Sequence, residues 1–171
     1  MKKYLLTLSV IFLFVSGGLT QKYAFVDTEY ILSNIPTYKS AQDQLDQYSL
    51  EWQKEIETIF NEIEKMYKNF QAEKVLLTEE MKRRREEEII NKEIEVKNLQ
   101  KKYFGTEGDL FKKRQELIKP IQDAIYNAVK EIATEGNFAV IFDTASGPGL
   151  LYTNPKHDKS DEVLEKLGYK D

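Results

Sequence analysis

Two aspartates are the side chains best placed for acid–base chemistry, because each follows an apolar, strand-like run. Asp27 follows residues 23–26, and Asp143 follows residues 138–142. Carboxylates at the ends of neighbouring strands could act as a general acid and a general base. A threonine comes directly after each aspartate, and both residue types commonly cap helices and turns. We therefore predict that both aspartates are structural caps.

No catalytic or metal site is indicated elsewhere in the sequence. The chain has no cysteine, which excludes disulfides, thiolate metal sites and cysteine catalysis. Its one histidine, His157, lies in a polar segment without a second ligand at metal-binding spacing. The sequence has neither a glycine-rich phosphate loop nor a nucleophile motif. We predict a protein that is not an enzyme, that binds no cofactor or metal, and that leaves His157 exposed.

The first 20 residues have the pattern of a signal peptide. Lys2 and Lys3 precede an apolar run, residues 4–15, that is short for a membrane span. We predict cleavage near residue 20 and export of the mature chain; an uncleaved membrane anchor is the alternative. The whole chain has a net charge of −4, and losing two lysines makes it more acidic. This balance argues against a nucleic-acid binder.

The elements that would position any site are organised around a long helical hairpin. Apolar residues of the outbound helix alternate at spacings of three and four, as in a coiled-coil seam. Apolar residues of the returning helix recur every seven positions. We place the turn at residues 77–78, with Thr78 as the cap of the second helix. The outbound seam is Tyr38, Ala41, Leu45, Tyr48, Trp52, Ile56, Ile59, Ile63, Met66 and Phe70, and the returning seam is Ile89, Val96, Tyr103, Leu110 and Leu117.

This turn predicts that Trp52 faces Tyr103 and that two prolines lie level with each other at the root of the hairpin. A proline inside a helix kinks it or begins a new segment. Two glycines interrupt the returning helix, and each disfavours a helix by about 1 kcal/mol relative to alanine. They indicate close packing against the outbound helix, a local irregularity, or a flexible point at which the arm bends. The candidate hinge positions are Pro36, Gly105, Gly108 and Pro120.

The predicted tip of the hairpin is highly charged. Residues 82–85 are basic and residues 86–88 are acidic. Opposite charges four positions apart stabilise a solvated helix, which is the simpler interpretation. The alternative is a tip that contacts a partner or a membrane surface.

Short strand-like segments on both sides of the hairpin predict a small β-rich head. Residues 138–142 are a continuous apolar run, which is typical of a buried strand. A turn at residues 146–149 leads to residues 150–153, which we predict as a third strand that pairs back as a hairpin. Because so few elements form only a marginal core, we predict that the head oligomerises. Its predicted core residues are Phe25, Val26, Val140, Ile141, Phe142 and Leu151.

Taken in order, the signal peptide, the hairpin and several short segments resemble one known family, the OmpH/Skp-like periplasmic chaperones. The resemblance covers the whole mature chain, and it depends on the order of the segments rather than on any single motif. The segments that carry it are residues 23–27, 35–36, 116–122, 138–143, 151–155 and 161–164.

The resemblance implies a mainly α protein with a small β head, in which a long antiparallel helical hairpin emerges from a trimeric β-barrel-like body. It divides the chain into a signal peptide (1–20), a β-rich oligomerisation head (21–36 and 120–171) and a coiled-coil arm (37–119). It implies a homotrimer in the periplasm that holds unfolded outer-membrane proteins between its arms without ATP. The chain departs from strongly basic members of the family in being acidic, which weakens any expectation of lipopolysaccharide binding.

An unfolded outer-membrane protein exposes alternating apolar residues and unpaired strand edges, which aggregate. Arms around a cavity could isolate such a client through many weak contacts. An exported coiled-coil spacer or adaptor that binds one specific partner is the competing hypothesis. Apolar residues that the hairpin leaves incompletely buried are the candidate client contacts, and packing within the arm is their alternative role. They are Phe60, Tyr67, Phe70, Phe104 and Phe111.

Overall fold

A computed structural model describes residues 21–147 and 149–170. The predicted signal peptide lies outside the described residues. No helix within those ranges combines the length and apolar character that crossing a membrane requires. The elements are β1 (Lys22–Val26), α1 (Thr28–Ser33), α2 (Pro36–Glu73), α3 (Glu79–Phe104), α4 (Asp109–Gly136), β2 (Phe138–Asp143), a short 3-10 helix (Pro155–His157) and α5 (Ser160–Lys166).

The prediction of a mainly helical protein with a small sheet is confirmed. The sheet has two parallel strands, β1 and β2, in which Ala24 pairs with Ile141 and Phe25 with Phe142. The chain divides into two compact units. We call Met1–Ile31 with Tyr126–Asp171 the head unit, and Leu32–Ile125 the arm unit.

The arm unit contains the predicted helix pair. The chain turns between Glu73 and Glu79, and the hydroxyl of Thr78 caps α3 by accepting a hydrogen bond from the backbone N–H of Met81 at 3.3 Å. The indole ring of Trp52 stacks on the ring of Tyr103, with the ring centroids 4.7 Å apart and an angle of 7° between the ring planes. This stack confirms the predicted facing pair. The buried seam residues between α2 and α3 are Ile56, Ile63, Phe70, Ile89, Val96 and Tyr103.

A second buried cluster joins α2 to the first half of α4. Ala41, Leu45 and Ile118 form its centre, with Leu110 and Leu117 packed against it. Pro120 lies inside α4, so of the two predicted alternatives, a kink or a new segment, the new segment is excluded. A proline removes only one helical hydrogen bond, and the flanking apolar side chains keep this stretch of helix packed. The helix is instead interrupted between Phe104 and Asp109.

Both candidate acid–base residues cap local structure in the head unit. A carboxylate oxygen of Asp27 accepts a hydrogen bond from the N–H of Tyr30 at 2.9 Å in the first turn of α1. Asp143 accepts hydrogen bonds from the N–H of Thr28 at 3.2 Å, from its hydroxyl at 2.8 Å, and from the N–H of Ala145 at 3.1 Å. The prediction that both are structural caps is confirmed.

Because of these hydrogen bonds, we expect the free energy of unfolding to depend on pH. Partial burial alone would raise the pKa of Asp143, but the hydrogen bonds from Thr28 and Ala145 together lower it below its ordinary value of 3.8. Because the folded pKa lies below the unfolded one, the stabilisation is present above about pH 3.8 and lost as the pH falls through the folded pKa. We expect D143N to lower the free energy of unfolding by about 1–2 kcal/mol at pH 7.

Thermal unfolding of D143N and the native protein, followed by circular dichroism from pH 7 down to pH 2.5, tests this expectation. The two midpoints should converge below about pH 3.8. D46N removes the same charge from an exposed position on α2 and should melt like the native protein at every pH. Equal midpoints for D143N and the native protein at pH 7 would show that the cap contributes no stability.

One predicted strand of the head does not form within the single chain, and one that forms is not buried as predicted. Residues 150–153 form no strand, and Leu151 is fully exposed. Strand β2 forms, but Val140 and Phe142 are 47% and 44% exposed and Ile141 is only partly buried. An apolar run predicts a strand by its composition, but nothing within the chain covers these side chains. Phe25 and Val26, on the neighbouring strand, are buried.

Candidate functional site

The polar groups of the head show no arrangement for catalysis among the described residues. Every buried side-chain nitrogen or oxygen described has a hydrogen-bond partner. No group of three or more His, Cys, Asp or Glu side chains there is arranged to hold a metal ion. His157 is exposed, as predicted, and its ring lies 5.4 Å from the ring of Tyr23. The apolar surfaces are therefore the stronger candidates for function.

Four of the five predicted contact residues on the arm are exposed. Phe60 is 46% exposed although it lies four residues after a buried seam position, and the exposure of Tyr67 and Phe111 is similar. Phe70 is the exception, since it is 6% exposed within the seam cluster. Its spacing of seven residues from Ile63 keeps it on the seam. Phe70 is therefore not incompletely buried, and it has the alternative role, packing within the arm.

Phe60 on α2 and Phe104 on α3 line one groove between the two helices. The groove has a volume of about 380 Å³, and Ile56 of the buried seam forms part of its lining. The ring of Phe104 meets the indole of Trp52 edge-on at 6.3 Å, which supports one wall of the groove. Its remaining lining residues are Gln53, Glu57 and Gln100.

Tyr67 lies two turns further along α2 and is fixed by its polar end. Its hydroxyl donates a hydrogen bond to a carboxylate oxygen of Glu93 at 2.9 Å. That hydrogen bond raises the pKa of the Tyr67 hydroxyl above its ordinary value. Because the ring is held across the two helices, Tyr67 forms a fixed apolar surface beside the groove.

The interruption of the returning helix is built on close backbone contacts. Helix α3 ends where the N–H of Gly105 donates to the carbonyl of Lys101 at 2.9 Å, and the N–H of Gly108 donates to the carbonyl of Gly105 at 2.9 Å. A Cβ atom on Gly105 would lie 2.4 Å from the carbonyl oxygen of Lys101. One on Gly108 would lie 2.8 Å from the carbonyl oxygen of Tyr103. The glycines are therefore required sterically by this break, rather than only tolerated.

A methyl group at Gly105 tests this requirement. The nearest atom is backbone and cannot rotate away, so we expect G105A to lower the free energy of unfolding by about 1–3 kcal/mol, measured by thermal unfolding. T106A changes an exposed side chain in the same turn and should leave the midpoint unchanged. A higher midpoint for G105A would mean that the alanine simply extends α3 and that the break is dispensable.

The tip of the arm exposes apolar groups that the charge pattern did not predict. Val75 and Leu76 are 92% and 85% exposed in the turn after α2. The neighbouring charges pair with each other, since Lys82 contacts Glu79 at 2.7 Å and Arg84 contacts Glu88 at 3.6 Å. Two apolar residues at a predicted turn were the sequence signal for this surface.

The head unit also has an exposed apolar surface. At the outer edge of β1, the N–H of Lys159 donates a hydrogen bond to the carbonyl of Phe25 at 2.8 Å. At the opposite edge of the sheet, no strand of the described residues pairs with β2. The exposed apolar side chains of this unit include Tyr23, Val140, Phe142, Leu150, Leu151 and Tyr152.

Comparison with known proteins identifies a family and a similar solved structure. The family model for outer membrane proteins of the OmpH-like type matches residues 22–167. A crystal structure of a candidate outer membrane chaperone (OmpH-like) from Caulobacter crescentus CB15 matches with a TM-score of 0.68 and 11% sequence identity, covering 88% of this chain and 86% of that one. At this identity the similarity establishes the fold. No curated protein matches the sequence.

Proposed function

This chain belongs to the OmpH-like outer membrane protein family, and from that membership we propose that it is a periplasmic holdase chaperone. In this proposal it binds unfolded outer-membrane proteins without ATP and prevents their aggregation. The signal peptide at residues 1–20 directs its export.

The observation that carries this proposal is the exposure of aromatic side chains on a hairpin whose seam is already closed. Phe60, Tyr67, Phe104 and Phe111 remain outside the buried clusters. Burying a side chain of this size against a client contributes about 1.5–3 kcal/mol. Several such contacts retain an unfolded chain, while each of them is weak enough to release it.

The exposed surface of the head supports the proposal of a homotrimer. Within the part of the chain that the structure describes, the outer edge of β2 has no strand partner, and the side chains of Val140 and Phe142 on this strand are exposed. An apolar edge of this kind favours pairing with another chain. We assign residues 21–36 and 120–171 to a shared β-barrel-like body and residues 37–119 to the arm. A bend at Gly105 and Gly108 would then let the arms fit clients of different sizes.

A specific adaptor or spacer remains the competing function. The exposure of Val75 and Leu76 at the tip favours a contact there, either with one partner or with a membrane surface. An adaptor would bind its partner selectively and would not suppress the aggregation of unrelated unfolded proteins.

Light scattering separates these functions. A urea-denatured outer-membrane barrel protein is diluted into buffer without ATP, with and without one trimer equivalent of this protein per client. The holdase proposal predicts that scattering is largely suppressed, and a matched amount of a folded globular protein serves as the control. Scattering equal to that of the control would reject the holdase and leave the adaptor.

A further inference from the structure

We propose that the groove between Phe60 and Phe104 is a discrete pocket for one apolar side chain of an extended, donor-bearing polypeptide segment. This inference rests on the proposed holdase function and adds to it a defined contact and a preferred client chemistry. It adds one principal position on each arm to the several weak contacts of that proposal.

The size of the groove fits a side chain rather than a folded surface. Its volume of about 380 Å³ lies near the lower end of the roughly 300–1,000 Å³ of small-molecule pockets. Phe60 and Phe104 come from different helices, and the buried Ile56 also lines the groove. An aromatic or branched side chain in the groove would therefore meet three apolar side chains.

The polar groups of the groove select for hydrogen-bond donors. Glu57 makes no hydrogen bond or ion pair within the described residues, so its carboxylate is available as an acceptor. The amide nitrogen of Gln53 donates to the hydroxyl of Ser49 at 3.2 Å, which leaves its oxygen free to accept. An extended segment presents backbone N–H groups beside its inserted side chain, and a lysine or arginine in that segment would pair with Glu57.

The surroundings limit the pocket to one position. The next aromatic side chain along α2, that of Tyr67, is fixed to Glu93 through its hydroxyl.

A phospholipid surface fits less well, because the carboxylate of Glu57 disfavours anionic headgroups. An unfolded segment with alternating apolar and polar residues fits best, since every second side chain of it points to the same face.

The single tryptophan reports on the groove directly. The ring of Phe104 lies edge-on to Trp52 at 6.3 Å, and the chain has no other tryptophan. The probe is a nine-residue peptide without tryptophan that alternates threonine with valine and has one central phenylalanine beside a lysine. Titration into the full mature protein is expected to change the emission of Trp52 with saturation.

Variants of the groove and of the peptide give the decisive comparison. F60S should weaken binding about tenfold or more, whereas L50S removes an exposed apolar side chain of α2 outside the groove and should bind like the native protein. Replacing the peptide lysine with glutamate should weaken its binding to the native protein. The same replacement should cause a smaller loss of affinity for E57Q. Circular dichroism confirms that each variant is folded, and F60S leaves the Trp52 stack in place.

Several results would overturn the pocket. They are equal peptide affinity for F60S and the native protein, an equal loss in L50S, or equal binding of the lysine and glutamate peptides. If the emission of Trp52 changes with anionic phospholipid vesicles but not with the peptide, the groove binds lipid. If the emission changes with protein concentration alone, the groove binds another copy of this chain. If native protein and F60S suppress aggregation equally, the pocket fails but the holdase stands; if native protein does not suppress it, the holdase fails.

Discussion

Replacing Val140 with aspartate is expected to convert the proposed trimer into single chains. Val140 is 47% exposed on β2, so one chain can accommodate a carboxylate there without burying it. In the proposed body the same side chain is covered by a neighbouring copy, and an unpaired buried charge costs several kcal/mol. Native mass spectrometry or light scattering coupled to size exclusion should then give one subunit mass.

Asn127→Asp provides the matched control for this experiment. It adds the same charge to an exposed position on α4 within the head unit and should leave the native mass at three subunits. A Val140→Asp protein that keeps the native mass would remove β2 from the subunit contact. A native protein with a mass of one or two subunits would contradict the trimer itself.

Replacing Val96 with aspartate should destabilise the arm more than any surface change. Val96 is 1% exposed in the seam between α2 and α3, so the carboxylate would be buried among apolar side chains. We expect a loss of about 4 kcal/mol in the free energy of unfolding. For a chain of this size that corresponds to a thermal midpoint lower by roughly 10 °C.

Asn98→Asp controls for the added charge, because it lies two residues further along α3 and is exposed. Its midpoint should stay close to that of the native protein in the same circular dichroism experiment. An unchanged midpoint for Val96→Asp would mean that the seam contributes little to the stability of the chain, and that the closed hairpin depends on other contacts.

The seam could be predicted from the sequence because it depends on periodicity alone. Residues seven apart lie on one face of a helix in a coiled coil, and one turn at residues 77–78 then determines which faces meet. The stack of Trp52 on Tyr103 follows from this rule. The same rule places Phe70 on the seam, which favours packing within the arm over a client contact.

The groove and the head could not be predicted in the same way. Whether Phe60 and Phe104 converge depends on the rotation and offset of two helices, which a one-dimensional pattern does not contain. The apolar run of β2 predicts a strand correctly, but its composition does not specify whether the covering surface comes from the same chain. Residues 150–153 show the same ambiguity, because a short apolar run forms a strand only where a partner edge is available.

The central claim is that three copies of this chain hold one unfolded client without ATP. Native mass spectrometry of the full mature protein, mixed with a freshly diluted outer-membrane barrel protein in the absence of ATP, tests it most directly. We predict a complex with the mass of three chains and one client, and its loss when Val140→Asp protein is used. A spectrum that contains only free trimer and free or aggregated client would contradict the claim.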